Sequence, residues 1–330
     1  MQPFSYTQPN STAAAIRAFA AAGPGARYIA GGTTLYDLMK LDVERPQHLI
    51  DITSIPGIDA VEAGSTRLRV GALARMSDVA AHPVVLDDYP VLAESLAKAA
   101  SQQLRNMATV GGNLLQRTRC PYFRNGALYP CNKRSPGSGC GAIGGLDRAH
   151  AVLGGSESCI AVYPGDWAVA LAALDATVEV VGAAGTRTLA ILDVHRLPGN
   201  TPHIDHALQP DEMIVAITVP ASRAARASTY HKIRDRESYA FALASAAVAL
   251  DIADGVVREA RIALGGVATK PWRATEAERL LVGQPLTPEA ALAAGRLAFE
   301  QAQPGQHNRF KIDLGARTLA DAIEIAGGRA

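Results

Sequence analysis

The four cysteines of the chain lie close together and could share one chemical task. Cys120, Cys131, Cys140 and Cys159 follow a C-x10-C-x8-C-x18-C spacing in a sequence of 330 residues. Cysteines scattered at random along a chain of this length would rarely fall so near to one another. The clustering therefore indicates a shared site, either for a metal centre or for disulfides.

Three kinds of site compete for these cysteines. Disulfides need an oxidising compartment, and a chain of this length does not need them to stabilise its core. Structural zinc sites usually show paired C-x2–4-C motifs, which this spacing lacks. Four thiolates on irregular loops are typical of a [4Fe–4S] cluster, which tolerates varied spacing. The pattern favours the cluster, and it leaves zinc, disulfides and unpaired buried cysteines open.

The segment 116–160 that carries the cysteines differs from the rest of the chain. It is rich in glycine and proline, its hydrophobic period is lost, and it has only two acidic residues. Its basic residues are Arg117, Arg119, Arg124, Lys133, Arg134 and Arg148. So long an irregular insertion within a domain tends to be functional or disordered. The cations would offset the negative charge of a cluster, or would be solvated or bind an acidic partner.

Two glycine-containing segments suggest a nucleotide cofactor. YIAGGTTLYDLM (Tyr28–Met39) reads as a strand, a Gly31-Gly32 break and a helix start, where successive N–H groups can bind an anion. MATVGGNLL (Met107–Leu115) has a second Gly-Gly turn, and its Thr109 and Asn113 suit a pyrophosphate or ribityl chain. Neither segment is a GxGxxG or Walker A motif, so each alone is a weak signal.

The hydrophobic pattern predicts three segments that must position these residues. Residues 1–60 read as an N-terminal β-α-β unit, and residues 61–220 as a mixed α/β region interrupted by the insertion at 116–160. Residues 225–330 form a third segment. It opens with a strand candidate, Thr229–Arg234, and continues with a hairpin, Phe241–Ile252 and Val256–Leu264, around Asp254-Gly255. Helices follow over Trp272–Leu281, Pro288–Gln301 and Asp313–Ala326.

Composition excludes several functional classes. Hydrophobic residues make up 48% of the chain and charged residues 19%. The formal net charge is +1, so the chain lacks the excess of positive charge that indicates nucleic-acid binding. No apolar run approaches the roughly 20 residues that span a bilayer, so we expect no membrane insertion. The N-terminus has no basic region ahead of an apolar one, so we expect no signal peptide. The chain is expected in the cytoplasm, or in the periplasm if a signal-bearing partner carries it there.

Several segments along the whole chain carry a family resemblance. They are AGGTTL (Ala30–Leu35), ATVGGNLL (Ala108–Leu115), PGDWAVALAALDA (Pro164–Ala176), DEMIVAITVP (Asp211–Pro220), YHKIRDRESYAFALASAAVAL (Tyr230–Leu250) and RIALGGVATKPWRATEAERLL (Arg261–Leu281). Together they resemble the FAD-binding subunits of the molybdenum hydroxylases, the xanthine dehydrogenase and aldehyde oxidoreductase family. The insertion Gln116–Gly145, with Cys159 after it, looks like the bacterial branch whose flavin subunit carries an extra [4Fe–4S] cluster, as in periplasmic aldehyde oxidoreductases.

The resemblance implies a fold and a cofactor site. The fold is α+β, a two-subdomain FAD-binding fold of the PCMH/CO-dehydrogenase flavoprotein type, followed by a C-terminal α+β domain with an antiparallel sheet and helices. The FAD contacts that it implies are Ile29, Ala30, Gly31, Gly32, Thr33, Thr34, Leu35, Thr109, Gly112, Asn113, Asp166, Ile214 and Lys232. Asp166 could instead be a helix N-cap and Lys232 a solvated strand residue. Many relatives have acidic residues where this chain has Ser238-Tyr239. We therefore expect the contacts of this chain near the flavin ring to differ from those of these relatives.

The resemblance also implies an oxidoreductase subunit without substrate chemistry of its own. No catalytic triad, HExxH or paired-carboxylate motif stands out, and His203 and His206 are better explained as a polar loop than as a ligand pair. A large molybdenum-cofactor subunit and a small [2Fe–2S] subunit would complete a heterotrimer. This chain would pass their electrons from FAD to an external acceptor. The alternatives are a stand-alone flavin oxidase of the same fold and a zinc-stapled interaction module.

Overall fold

A parallel sheet with helical connections forms the N-terminal part of the chain. The computed structural model describes the backbone of residues 1–330 and every side chain except that of Ala127. The sheet has the strand order β1-β3-β2. Its elements are β1 (Ser5–Thr7), α1 (Thr12–Ala22), β2 (Ala26–Ile29), α2 (Leu35–Lys40) and β3 (His48–Asp51). The Ser11 hydroxyl begins α1 by accepting a hydrogen bond from the Ala14 N–H at 3.2 Å, the usual role of an N-cap serine.

The central part of the chain is built on an antiparallel sheet with the order β4-β5-β8-β6-β7. Its strands are β4 (Val61–Ala63), β5 (Arg67–Gly71), β6 (Thr177–Gly182), β7 (Gly185–Ala190) and β8 (Met213–Pro220). The helices around it are α3 (Met76–Ala80), α4 (Pro83–Asp88), α5 (Pro90–Ala97), α6 (Gln102–Arg105), α7 (Val110–Leu114), α8 (Pro121–Arg124), α9 (Trp167–Ala173), α10 (Ile191–Val194) and α11 (Arg223–Arg226). Every residue of α9 is buried, so this alanine-rich helix lies wholly inside the core.

The C-terminal part is a second antiparallel sheet covered by helices. Its elements are β9 (Ser228–Ile233), β10 (Ala244–Ala253), β11 (Val256–Gly265), β12 (Trp272–Arg273), α12 (Thr275–Leu281), α13 (Pro288–Leu297) and α14 (Phe310–Gly327). The predicted hairpin is confirmed, and both turn residues, Asp254 and Gly255, have positive φ angles, as a type I′ turn requires. The predicted helix start at Trp272 is wrong, because Trp272 pairs with Leu264 and the helix begins only at Thr275.

The expected α+β fold is confirmed, and its largest core runs through both antiparallel sheets. This core joins the central sheet and α9 to Tyr230, Ala247, Ala249 and Ala263 of the C-terminal sheet. A second core lies between the C-terminal sheet and α12–α14. Residues 116–160 are not structureless, because they include α8 and a short antiparallel bridge between Cys131 and Cys140. Among the described helices, none is long and apolar enough to cross a membrane.

Candidate functional site

The two glycine segments lie against each other in the folded chain. Gly31, which follows β2, packs on the backbone of Met107 and Ala108 so tightly that a Cβ atom there would overlap the Met107 carbonyl oxygen. Met107 and Ala108 lead into α7, the helix of the second segment. Residues more than 70 positions apart in the sequence therefore form one continuous surface.

The first glycine segment offers a run of free hydrogen-bond donors. The backbone N–H groups of Gly31, Gly32, Thr33 and Thr34 have no acceptor among the described residues. These residues are half-buried, and Gly32 has a φ of 71°, a conformation that favours glycine. The segment leads directly into α2, whose first residue is Leu35. Successive free N–H groups at such a turn suit an anion such as a phosphate.

The second glycine segment differs from the turn that the sequence predicts. Gly111 and Gly112 lie inside α7, because the Thr109 hydroxyl caps the helix by accepting from the Gly112 N–H at 3.3 Å. The Gly111 N–H donates to the Ala72 carbonyl at 2.9 Å, so the start of this helix is engaged within the protein. The free polar group here is instead the Asn113 Oδ1 atom, which is buried and has no partner among the described residues.

Asp166 and Lys232 form a buried ion pair. The Lys232 Nζ atom lies 2.8 Å from Asp166 Oδ2, and the Tyr230 hydroxyl donates to Asp166 Oδ1 at 2.6 Å. Burial raises the pKa of Asp166, opposed by the charge of Lys232. Asp166 does stand at the N-cap position of α9, although its side chain makes no capping hydrogen bond there. The alternative reading of Lys232 as a solvated strand residue is wrong, because Lys232 is buried.

The remaining predicted contact, Ile214, is a core residue. It lies in β8 opposite Val180 and is 3% exposed. Among the described residues, no hydrogen bond joins the Asp166–Lys232 pair to either glycine segment. The structure thus unites the two glycine segments and buries Asp166, Lys232 and Ile214 in the core.

All four cysteines line one cavity. They are free thiols, they come from four separate places in the insertion, and Cys131 faces Cys140 across the short bridge. Burial raises the pKa of Cys120 to about 12 and also raises that of Cys159. Binding of a metal centre would therefore have to displace the thiol protons.

The cavity does not have the geometry of a site for one metal ion. Among the described residues, no three His, Cys, Asp or Glu side chains come close enough together to hold a single ion. A tetrahedral zinc site needs its ligand atoms within about 2.0–2.3 Å of one ion. The cysteines are instead spread around the wall of a shared space.

The cations of the insertion are neutralised by acidic residues outside it. Arg117 pairs with Glu44 and Asp205, and Lys133 also pairs with Asp205. A second set of pairs joins Arg119 and Arg124 to Asp37, and Arg148 to Asp235. Arg134 binds carbonyl oxygens within the insertion. The cations are thus tied to the body of the protein, with Lys133 also close enough to lower the pKa of Cys159.

Histidines near the cavities are further functional candidates, and of these the sequence pattern pointed only to His206. His150 lines the cysteine cavity, and its Nε2 atom lies 3.2 Å from Cys120 Sγ. His195 and His206 face each other in a bridge beside a second cavity, which shares Lys133 and Cys159 with the first. His203 is exposed and lines neither cavity, so it does not pair with His206 as a ligand. An isolated histidine in irregular sequence has no spacing signal.

Two family models together match nearly the whole chain. Residues 2–222 match the FAD-binding domain in molybdopterin dehydrogenase, and residues 228–325 match the CO dehydrogenase flavoprotein C-terminal domain. The chain is 48% identical to the aldehyde oxidoreductase FAD-binding subunit PaoB of Escherichia coli strain K12, over 100% of both chains. It is 26% identical to the glyceraldehyde dehydrogenase medium chain of Sulfolobus acidocaldarius, over 93% of this chain and 90% of the relative.

Solved structures show the same fold over the full length. A chain of the carbon monoxide dehydrogenase of Hydrogenophaga pseudoflava has a TM-score of 0.78 at 27% identity and covers 100% of this chain and 99% of that one. A chain of quinoline 2-oxidoreductase from Pseudomonas putida 86 has a TM-score of 0.77 at 25% identity, covering 99% and 98%. The chain therefore belongs to the FAD-binding subunits of the molybdopterin dehydrogenases and is the flavin subunit of an oxidoreductase.

Proposed function

We propose that this chain binds FAD and a [4Fe–4S] cluster as the electron-transfer subunit of a molybdenum-containing complex of the aldehyde oxidoreductase and xanthine dehydrogenase type. Its partners would be a molybdenum-cofactor subunit and a [2Fe–2S] subunit in a heterotrimer, and it would deliver their electrons to an external acceptor. The observation that carries the proposal is the cavity lined by four free cysteines in a chain of the FAD-binding family.

The donor set of the cavity fits an iron–sulfur cluster better than a single metal ion. Four thiols and no carboxylate line the space, and thiolates are the ligands that [4Fe–4S] clusters take. A cluster places its ligand sulfurs around a cube of eight atoms, so they stand farther apart than the ligands of one ion. This explains how four cysteines can share a cavity without forming a single-ion site among the described residues.

The surface formed by the two glycine segments fits the FAD. Free N–H groups of the first segment would bind the pyrophosphate, and the unpartnered Asn113 Oδ1 would accept a hydrogen bond from the cofactor. The residues proposed to hold FAD are Ile29, Ala30, Gly31, Gly32, Thr33, Thr34, Leu35, Thr109, Gly112, Asn113, Asp166, Ile214 and Lys232. Within this set, Thr109 also caps α7, and Asp166, Ile214 and Lys232 lie in the core.

The chemistry comes from the cofactors, and the protein orients and shields them. When bound, FAD would supply exchange between one-electron and two-electron carriers, and the cluster would supply one-electron exchange. The buried Asp166–Lys232 pair holds β9 against α9, and α7 is held to the central sheet through Ala72. The Ala72 contact keeps the second glycine segment in place, the ion pair keeps β9 on α9, and neither contact takes part in a reaction.

The proposal is tested by analysing anaerobically purified protein. We expect about one FAD, about four irons and about four acid-labile sulfides per chain, with the broad visible absorption of an iron–sulfur cluster beneath the flavin bands. About one zinc without iron would contradict the cluster and support a zinc-stapled module. A flavin that stays attached after denaturation would favour a stand-alone flavin oxidase.

The variant Cys131→Ser separates the two cofactor sites. It should lose iron and sulfide and keep its flavin, because Cys131 lines the cysteine cavity and none of the residues proposed to hold FAD does. Equal loss of flavin would show that the two sites are not independent. Unchanged iron content would remove Cys131 from the ligand set.

A further inference from the structure

His150 is the one side chain among the described residues that hydrogen-bonds a cysteine sulfur. Its Nε2 atom lies 3.2 Å from Cys120 Sγ, within range for a hydrogen bond to sulfur. Backbone N–H groups also approach the sulfurs: that of Ala161 lies 3.5 Å from Cys159 Sγ, and those of Tyr122 and Phe123 lower the pKa of Cys120. The imidazole is 3% exposed and lines the cavity together with the four cysteines.

The backbone around His150 fixes where the ring stands. The His150 N–H donates to the Asp147 carbonyl at 2.8 Å, and the next N–H, of Ala151, donates to the Ile160 carbonyl at 2.9 Å. The Asn308 side-chain amide donates to the carbonyls of both His150 and Ala151, at 3.3 and 3.2 Å. The ring also lies beside Tyr122, with 6.0 Å between centroids. The position of Nε2 at the sulfur is therefore built into the fold.

The direction of this hydrogen bond follows from the chemistry of a metal-bound thiolate. A cysteine that ligates a cluster has no proton, so its sulfur can only accept. The Nε2 atom must then carry the imidazole proton. A neutral imidazole carries one proton, so Nδ1 is then unprotonated.

We propose that His150 is a positioning residue that donates its Nε2–H to Cys120 and thereby raises the reduction potential of the cluster. This inference rests on the proposed function, because it requires a [4Fe–4S] cluster on the four cysteines. A donor to a ligand sulfur stabilises the form of the cluster with one more electron, which carries more negative charge. The change of state adds one electron, breaks no bond and leaves the proton on Nε2.

The test compares the reduction potential of the cluster in the full chain with that in two variants, by an EPR-monitored titration. His150→Phe keeps a flat ring and has no donor, whereas His150→Gln keeps an amide N–H near the place of Nε2. For the Phe variant we expect the ratio of oxidised to reduced cluster at a fixed potential to rise about threefold to tenfold. A tenfold change equals about 59 mV for one electron. The Gln variant should stay closer to wild type.

The same substitution at an exposed histidine is the matched control. His203→Gln lies on the surface and lines neither cavity, so its potential should equal that of wild type. A Phe variant with wild-type iron, sulfide and potential would overturn the inference. Loss of iron from the Gln and Phe variants alike would also overturn it, because His150 would then be a ligand.

If only the Phe variant loses its cluster, its reduction potential cannot be measured. A spectroscopic measurement on the wild-type chain then tests the hydrogen bond directly. With 15N-labelled histidine, ENDOR of the reduced cluster should show one weak nitrogen coupling transmitted through the hydrogen bond. A strong coupling would indicate direct ligation and no coupling would mean no contact, and either result overturns the inference. A wild-type chain without an iron–sulfur signal would instead refute the proposed function, so the two failures are distinguishable.

Discussion

Two charged side chains lie in the core of the protein and form an ion pair there. The side chains of Asp166 and Lys232 are 6% and 1% exposed and satisfy each other, with Tyr230 and the Lys98 carbonyl as further partners. A buried ion pair adds little net stability, but loss of one partner leaves a charge without compensation. The pair therefore makes the core sensitive to single changes.

Lys232→Met should lower the free energy of unfolding by about 3–5 kcal/mol, because it leaves the Asp166 carboxylate buried without an opposite charge. The measurement is urea unfolding of the flavin-free chain, so that a lost ligand does not contribute. Lys40→Met, at an exposed lysine, is the control and should change stability by less than about 1 kcal/mol. Asp166→Asn added to Lys232→Met should recover part of the loss. Equal stability of Lys232→Met and Lys40→Met would contradict this account.

His195 should make stability depend on pH between about 4 and 6.5. Burial lowers the pKa of His195 from 6.5 to about 4, while its Nε2–H donates to the Leu114 carbonyl at 2.8 Å. Between these two values the unfolded chain binds the proton and the folded chain does not, so stability rises with pH across this window and is complete above it.

The contribution of His195 to this pH dependence is at most about 3 kcal/mol. His195→Gln keeps a donor without a titrating group, so it should flatten this part of the profile of unfolding free energy against pH. The difference between the wild-type and variant profiles isolates His195 from other groups that titrate in the same range. Parallel profiles would show that His195 is charged in the folded state or exposed.

At the scale of elements, the approach of the first glycine segment to the start of α7 depends on Gly31. Any side chain at this position would collide with the Met107 carbonyl, which belongs to a backbone held in place by the Met76 N–H bond to Ala108. Two segments distant in sequence can then form one surface only while position 31 has no Cβ atom.

Gly31→Ala should separate the two glycine segments, with a loss of bound FAD and a drop in stability of about 1–3 kcal/mol from overpacking. Flavin absorbance per chain and thermal unfolding measure the two effects. Gly64→Ala is the control, because a Cβ there would meet nothing closer than 3.5 Å and should leave both values unchanged. Full flavin content in Gly31→Ala would contradict the shared surface.

Local signals predicted some elements well and others poorly. The hairpin around Asp254-Gly255 was predictable because a type I′ turn and alternating strands are encoded by neighbouring residues. Gly111-Gly112 was wrongly predicted as a turn, since α7 depends on a cap and on the Ala72 carbonyl from another segment. The Asp166–Lys232 pair joins residues 66 positions apart, and no local pattern reveals such a contact.

At the scale of the whole molecule, α5 and the C-terminus tie the parts together. Glu94 in α5 accepts hydrogen bonds from the Thr229 hydroxyl and the Tyr230 N–H of β9, and it pairs with Arg329 near the end of the chain. The largest core also runs from the central sheet into the C-terminal sheet. These contacts favour unfolding in a single transition.

The two tryptophans report on different parts of this structure. Trp167 lies in α9 within the largest core, and Trp272 lies in β12 against the second core. In Trp167→Phe and in Trp272→Phe, the remaining tryptophan fluorescence and the far-UV circular dichroism should give the same urea midpoint, as for one cooperative unit. Midpoints that differ within either variant would show that the C-terminal part unfolds separately.

The pairing of the insertion's cations with acidic residues elsewhere limits its transfer between proteins. Asp37 and Glu44 lie in and just beyond α2, Asp205 lies in the loop before β8, and Asp235 lies just beyond β9. Three distant stretches of the chain therefore hold the cysteine segment. Insertion of residues 116–160 alone into a relative would introduce these arginines without the acidic residues that pair with them here. The segment therefore cannot be transferred to another protein by itself. The acidic residues that pair with its arginines would have to be transferred with it.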